Sequence, residues 1–217
     1  LTSPNRATAV RAWLSRYIFF NDDIQLTDAG ETLSQIDLYG PQAAALLADW
    51  LPTAADLPLH HVASVDEVLI VRAEPLAGSG FHLIAPPDQL TAITQQLQAA
   101  GAALGDDDLL ELIRIEAGLP GPAGEVNDQY IPLEASLWGD VSFSKGCYIG
   151  QEIIARMESR GRLAKTLVAV QASDSLSVGQ PMRGPEGERG VLTSVTQSPS
   201  HGWLGLGFIK PSAAEPG

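Results

Sequence analysis

Residues 67–85 read "EVLIVRAEPLAGSGFHLIA", two short apolar runs at 67–74 and 81–85 parted by a stretch holding Gly78 and Gly80. Runs of this length, rich in Val, Ile and Leu and bounded by a glycine turn, predict two paired β-strands rather than one buried helix. A hairpin doubles back on itself, so this stretch interrupts the strand-helix-strand beat of a doubly wound parallel sheet and favours an α+β fold.

The flanks extend that reading. Upstream, "SPNRATAVRAWLSRYIFF" (3–20) offers Ser3 as an N-cap and Pro4 at the first helical position, then sets Val10, Trp13, Leu14 and Tyr17 on one helical face. "DIQLTD" (23–28) and "LSQIDLYG" (33–40) predict short strands, and "GPQAAALLADWL" (40–51) a helix entered through a Gly-Pro turn. Downstream, "PDQLTAITQQLQAAG" (87–101) predicts a helix closed by Gly101. "DDDLLELIRIEAG" (106–118) predicts another, its three leading aspartates matching the positive end of the helix dipole. The irregular stretch 118–141 is longer than most connections, yet Tyr130, Ile131, Leu133, Leu137 and Trp138 supply enough apolar surface to order it. After residue 162, "LAKTLVAVQA", "RGVLTSVTQS" and "GWLGLGFIK" are β-like and separated by Gly/Pro turns, which predicts a small all-β domain.

With 45% apolar residues the 217-residue chain can bury a real core, and no apolar run approaches the ~20 residues of a membrane helix. One cysteine makes no internal disulfide, and the four histidines have no cysteine partner at zinc-ligand spacing, so a reducing cytoplasm is expected. The net charge of −13 is uneven: residues 1–141 carry −15 and residues 142–217 carry +2. Such an acidic front argues against broad nucleic-acid binding, while Lys145, Arg156, Arg160, Arg162 and Lys165 form a local cationic cluster, either an anion site or a solvated helix face.

That cluster surrounds "SKGCYIGQEIIAR" (144–156), where Cys147 stands just ahead of a helix expected from about Gly150 to Gly161. The dipole and Lys145 would favour its thiolate, although a lone cysteine is more often buried and inert. Around it, Tyr148 can stack, amides near Gly150 can face a ligand, and Gln151 and Glu152 can read a polar edge or simply cap the helix. In "LIRIEAGLPG" (112–121), Arg114 and Glu116 share a face if extended and diverge if helical. Arg114 can hold an acidic ligand tail, or pair structurally with Glu116, Glu125 or Glu134.

Taken in order, "RIEAGLPGPAGE" (114–125), "IPLEASLWGDVSFSKGCYIGQEIIAR" (131–156) and the β-rich segment after them resemble the YgfZ family of folate-binding proteins, relatives of the glycine-cleavage T-protein aminomethyltransferase. The resemblance runs from Trp13 to Lys210. It implies a folate-binding α+β domain with a mixed sheet over residues 1–161, lacking the family's usual opening segment, then a small C-terminal β-barrel over 162–217. It also implies tetrahydrofolate as cofactor and iron-sulfur client proteins or assembly machinery as partners, with an indirect effect on tRNA modification, in a cytoplasmic monomer without a resident metal. By position, Cys147 and Lys145 take the reactive role beside Gly146. Arg114, Glu116, Tyr148, Gly150, Gln151, Glu152 and Arg156 take folate-binding roles. Where some relatives have a folate-contacting Trp ahead of "IEAG", this chain has Leu110. One-carbon transfer on an aminomethyl or tRNA substrate, or a non-catalytic folate-binding module, are the alternatives.

Overall fold

In the computed structural model, residues 2, 6–122, 124–161, 163–184, 187 and 189–214 are described. Ser3, Pro4 and Arg162 lie outside them, as does the side chain of Arg160, and the N-cap expected at Ser3 with them. The chain divides into two compact units, Leu1–Leu104 and Gly105–Gly217; the domain boundary read after residue 161 falls inside the second.

In the first unit, strands β1 (Ser34–Gly40), β2 (Val62–Val65), β3 (Val68–Ala73) and β4 (Ser79–Ala85) form one sheet in the order β1-β4-β3-β2. The expected hairpin is the β3–β4 pair, with Ile70 opposite Leu83 and Val71 opposite His82. The β2–β3 turn uses Asp66 and Glu67 at φ 48° and 66°, the left-handed pair that a two-residue hairpin loop needs. Alternation does the rest: Leu38, Ile70, Phe81, Leu83 and Ala85 turn inward against Ala43 and Leu47 of helix α2 (Ala43–Leu47) and Leu90, Ile93 and Leu97 of helix α3 (Pro87–Ala99). Gly78 lets the β3–β4 turn touch the end of β1, since a Cβ there would lie 2.5 Å from the carbonyl carbon of Gly40. "DIQLTD" is not a strand. Helix α1 (Ala7–Ser15) forms as its periodicity predicts but buries no residue; Trp13 packs on Tyr17 with ring centroids 4.9 Å apart.

In the second unit, helices α4 (Asp107–Glu116) and α5 (Gln151–Arg160) precede strands β5 (Thr166–Ala172), β6 (Pro181–Arg183), β7 (Arg189–Ser198) and β8 (Gly202–Ile209). These strands form a sheet in the order β5-β8-β7-β6. Two sequence expectations are corrected here. Both sheets are antiparallel throughout rather than mixed, because every pairing joins strands that run in opposite directions. The C-terminal sheet is also open rather than a barrel: among the described residues β5 pairs only with β8, and β6 only with β7. Closure would need the outer edge of β6 to pair with β5, but β6 offers three residues, the first a proline without an N–H. Fully buried Ile115, Leu133, Leu192, Leu206 and Phe208 fill the unit's core.

The long stretch after α4 holds no helix or strand among its described residues. The buried Glu134 ties it to the start of β5: its carboxylate accepts from the amides of Lys165 at 3.0 Å and Ile131 at 3.3 Å, and its carbonyl accepts from the Leu167 amide at 2.9 Å. Tyr130 stacks on Phe208 with centroids 3.5 Å apart, and the Lys165 ammonium sits 4.7 Å from the Tyr130 ring centroid. Burial first, then the charges of Glu125 and Glu134, push the Tyr130 phenol above its ordinary value.

Candidate functional site

Two charged constellations of the second unit were expected to carry chemistry. In the first, Asp106 caps α4 by accepting from the Leu109 amide at 2.9 Å, with Asp107 and Asp108 in the first turn, so the aspartate triplet is a helix start. At the other end Arg114 and Glu116 are helical. They diverge accordingly, Arg114 buried and Glu116 exposed.

The Arg114 guanidinium is fully engaged. Its Nε donates to Glu111 Oε2 at 2.7 Å, Nη1 to the Leu119 carbonyl at 2.9 Å and Glu125 Oε2 at 3.2 Å, and Nη2 to Ser194 Oγ at 2.7 Å and to Glu111 Oε1. A guanidinium has five N–H groups, and all five are spent within the protein. Glu125, fully buried, also accepts from the Gly121 amide at 2.8 Å, from Ser194 Oγ at 2.8 Å and from Thr193 Oγ1. Of the three acidic partners considered for Arg114 from the sequence, Glu125 is the one it meets; Glu111 supplies the other. A Cβ on Gly121 would lie 2.5 Å from Arg114 Cζ, so the guanidinium fills the space that a side chain there would need. Thr193 and Ser194, at the β7 bulge, are about 70–80 residues away in sequence, and no local signal points to them.

The second constellation is open where the first is closed. Gly150, at φ 88°, caps α5, and Gly161, at φ 56°, ends it, so both glycines sit where the sequence put the helix ends. Cys147 is exposed, three residues ahead of that cap. The Lys145 amide donates to Ser142 Oγ at 3.1 Å and the Tyr148 amide to Gln151 Oε1 at 3.1 Å, which pins the backbone on both sides of the thiol. The Lys145 ammonium lies 4.8 Å from the Tyr148 ring centroid. Beside them opens a cleft of about 220 Å³ lined by Phe143, Lys145, Tyr148, Gln151, Glu152 and Glu158, among others. The structure thus brings Lys145, Tyr148, Gln151 and Glu152 together around one concavity. Cys147, Gly150, Arg156, Arg114 and Glu116 do not line it. Phe143 and Glu158 join it unannounced, although Glu158 stands at helical spacing from Gln151 and Ile154.

One further cluster escaped the sequence reading. On the first unit's sheet, Asp37 and His82 face each other across β1 and β4, with His82 Nδ1 2.7 Å from Asp37 Oδ1, and Gln35 Nε2 donates to the same oxygen at 2.6 Å. Burial pushes the Asp37 carboxyl up, but hydrogen bonds from His82 and Gln35 and the charge of His82 together pull it below its ordinary value of 3.8. Burial, with the Asp37 charge, pushes the neighbouring Tyr39 phenol up to about 12. Among the described residues no three His, Cys, Asp or Glu side chains are grouped to hold a metal, and no helix is long and apolar enough to cross a membrane.

Comparison with known proteins places these features in a family. Residues 1–145 match the profile of the GCVT N-terminal domain. The aminomethyltransferase of Herpetosiphon aurantiacus is 32% identical over 202 residues, covering 88% of this chain and 55% of its own length. The tRNA-modifying protein YgfZ of Yersinia enterocolitica is 29% identical over 203 residues, covering 88% of this chain and 59% of its own length. The crystal structure of the glycine cleavage system aminomethyltransferase T from Bartonella henselae shares the fold, with a TM-score of 0.71 at 24% identity over 95% of this chain and 59% of that one. The chain spans about half the length of the curated relatives it matches.

Proposed function

The chain belongs to the GCVT N-terminal domain family, and from that premise we propose that it is a folate-binding protein that assists the assembly or repair of iron-sulfur proteins, acting through Cys147. The observation that carries the proposal is the exposed thiol: Cys147 stands in front of α5, and Lys145 and Tyr148 on either side of it line an open cleft. A cysteine kept only for packing is normally buried. This one has its backbone neighbours pinned by hydrogen bonds and its sulfur in solvent.

The cleft suits one end of a folate. Phe143 and Tyr148 provide aromatic faces for a flat ring, and Gln151, Glu152 and Glu158 provide acceptors for its N–H groups. At about 220 Å³ it is smaller than the ~300–1,000 Å³ usual for ligand pockets, so further contacts must come from outside it. Arg114 cannot take the glutamate tail without giving up bonds it already makes, which leaves that task to exposed cations such as Lys145 and Arg156. Bound folate would supply one-carbon carrier chemistry; the residues here bind and orient it. A cytoplasmic setting, iron-sulfur clients and an indirect effect on tRNA modification complete the proposal.

A second reading, one-carbon transfer, is favoured by the names of relatives such as the Herpetosiphon aminomethyltransferase. Titration of the chain with 5-formyltetrahydrofolate, followed by tryptophan fluorescence, tests the shared premise: saturable quenching is expected, and its absence removes folate from both readings. Cys147→Ser then separates them. Loss of iron-sulfur enzyme activity in cells that depend on the protein, with folate binding intact, supports assembly, whereas an unchanged phenotype with one-carbon product formed by the purified protein supports transfer.

A further inference from the structure

We propose that a second cavity, in the first unit between α3 and the β2–β3 hairpin, binds a small primary amine carried on an apolar ring or chain. It measures about 230 Å³ and arises from how the helices lie. Four strands at about 4.8 Å spacing are roughly 14 Å across, and a helix about 10 Å wide covers two of them. Helices α2 and α3 both pack mainly on β1 and β4, so the inner face of β3 and β2 is left under-covered. Ile70 and Leu83, 1% and 0% exposed, form an apolar floor there, with Val65, Val68, Ile93 and Trp50 around it.

The polar groups of the cavity share one character. Asp66, in the β2–β3 turn, Gln89 and Gln96 belong to the lining, and among the described residues no Lys or Arg does. Gln89 Nε2 donates to the Asp66 carbonyl at 2.8 Å, which ties α3 to the turn and leaves Gln89 Oε1 without a donor among the described residues. Arg72, on the same face of β3 as Ile70, lies instead over the Phe81 ring, 4.7 Å from its centroid. The unit carries four arginines against eleven Asp and Glu side chains, a net of −7, so its field favours a cation. A ligand that fits therefore offers donors and positive charge at one end and hydrocarbon at the other. Size sets the rest: an apolar cavity of about 150 Å³ accommodates benzene, so this one takes a single ring with a short amine-bearing chain. The cavity shares no residue with the cleft beside Cys147, and its test is independent of folate.

2-Phenylethylamine, 2-phenylethanol and phenylacetate share one ring and nearly one length, but at neutral pH they are a cation, a neutral molecule and an anion. Each is titrated into the chain and followed by the indole N–H signal of Trp50 in nitrogen–proton NMR spectra, assigned with Trp50→Phe. The amine is expected to shift that signal saturably with a Kd on the order of 1 mM, the alcohol to bind about tenfold more weakly, and phenylacetate not to bind. Asp66→Asn should lower the amine to the affinity of the alcohol and leave the alcohol unchanged, since Asn tolerates the φ of 48° at that turn. Ala92→Phe, at an exposed α3 residue of the lining, should abolish both while the circular dichroism stays that of the wild type. If it does not fold, Gln96→Phe on the same helix takes its place. A Trp50 signal that the amine does not move overturns the site, as does amine binding that persists in the blocking variant. Phenylacetate binding as tightly as the amine, or an amine preference that survives Asp66→Asn, overturns the choice of ligand.

Discussion

Residues 114–125 and 144–156 look alike as sequence: each is a short stretch dense in charge, glycine and hydrogen-bonding groups. Folded, they are opposites. In the first, Arg114 and Glu125 are buried and every N–H of the guanidinium has an acceptor, which leaves no donor for a ligand. In the second, Lys145, Cys147, Glu152 and Arg156 are exposed, and no described residue hydrogen-bonds to the thiol. The difference teaches where to look for chemistry. A polar group whose bonding capacity is filled by its own chain has been fixed by folding, whereas one left open at a pinned position is free to act on something else.

The contrast would break most visibly at Glu125. Glu125→Ala leaves Arg114 buried beside an empty place, strips acceptors from Gly121, Thr193 and Ser194, and detaches the loop from β7. Removing one partner of a buried ion pair costs about 3–5 kcal/mol, a large share of the ~5–15 kcal/mol by which a domain is ordinarily stable. Urea denaturation followed by tryptophan fluorescence measures it, since Trp138 and Trp203 report on the second unit. A loss under about 1 kcal/mol would mean that the network is as dispensable as a surface ion pair.

How much of this was legible follows the range of the interactions. The hairpin at 67–85, the aspartate start of α4 and the glycine limits of α5 depend on neighbours within a few residues, and the sequence displays them. The open C-terminal sheet does not show in the sequence, because whether β5 meets β6 depends on a strand of three residues that carries no periodic signal. Ser194 reaches Arg114 only through a bulge in β7. The face of α1 reads as core-seeking by its spacing, yet Trp13 and Tyr17 are exposed, and spacing cannot reveal whether a partner is supplied. Of the site, the thiol stretch could be named from sequence, but the cleft beside it needed the packing of Phe143 and Glu158.

Asp37 is the intermediate case, partnered but partly exposed, and sharpens the comparison. Its folded carboxyl lies below the ordinary 3.8, so its contribution to stability is complete above that value and is lost as the pH falls through the folded one. Asp37→Asn should therefore lower stability by no more than about 1 kcal/mol at neutral pH, as exposed pairs do, and the gap from wild type should close under acid. Urea midpoints measured across that range check the sign. A gap that widens with acidification would show that the pair with His82 does not hold the carboxylate charged.

The smallest effect on stability belongs to Cys147. Serine differs there by one atom, the side chain is exposed, and among the described residues no hydrogen bond depends on the sulfur, so Cys147→Ser should shift the unfolding free energy by less than about 0.5 kcal/mol. In the wild type the same exposure has a chemical counterpart. An aromatic disulfide reagent should titrate one thiol per chain in the native state, about as fast as in urea, because access and not unfolding controls the reaction. Reaction that waits for unfolding, or a serine variant destabilised by more than about 1 kcal/mol, would place the sulfur in the same class as Arg114, a group that the fold itself consumes. Fast native reaction with unchanged stability leaves the thiol with no structural duty, and a nucleophile without structural duty at a backbone pinned by Ser142 and Gln151 is what a transfer or docking chemistry requires.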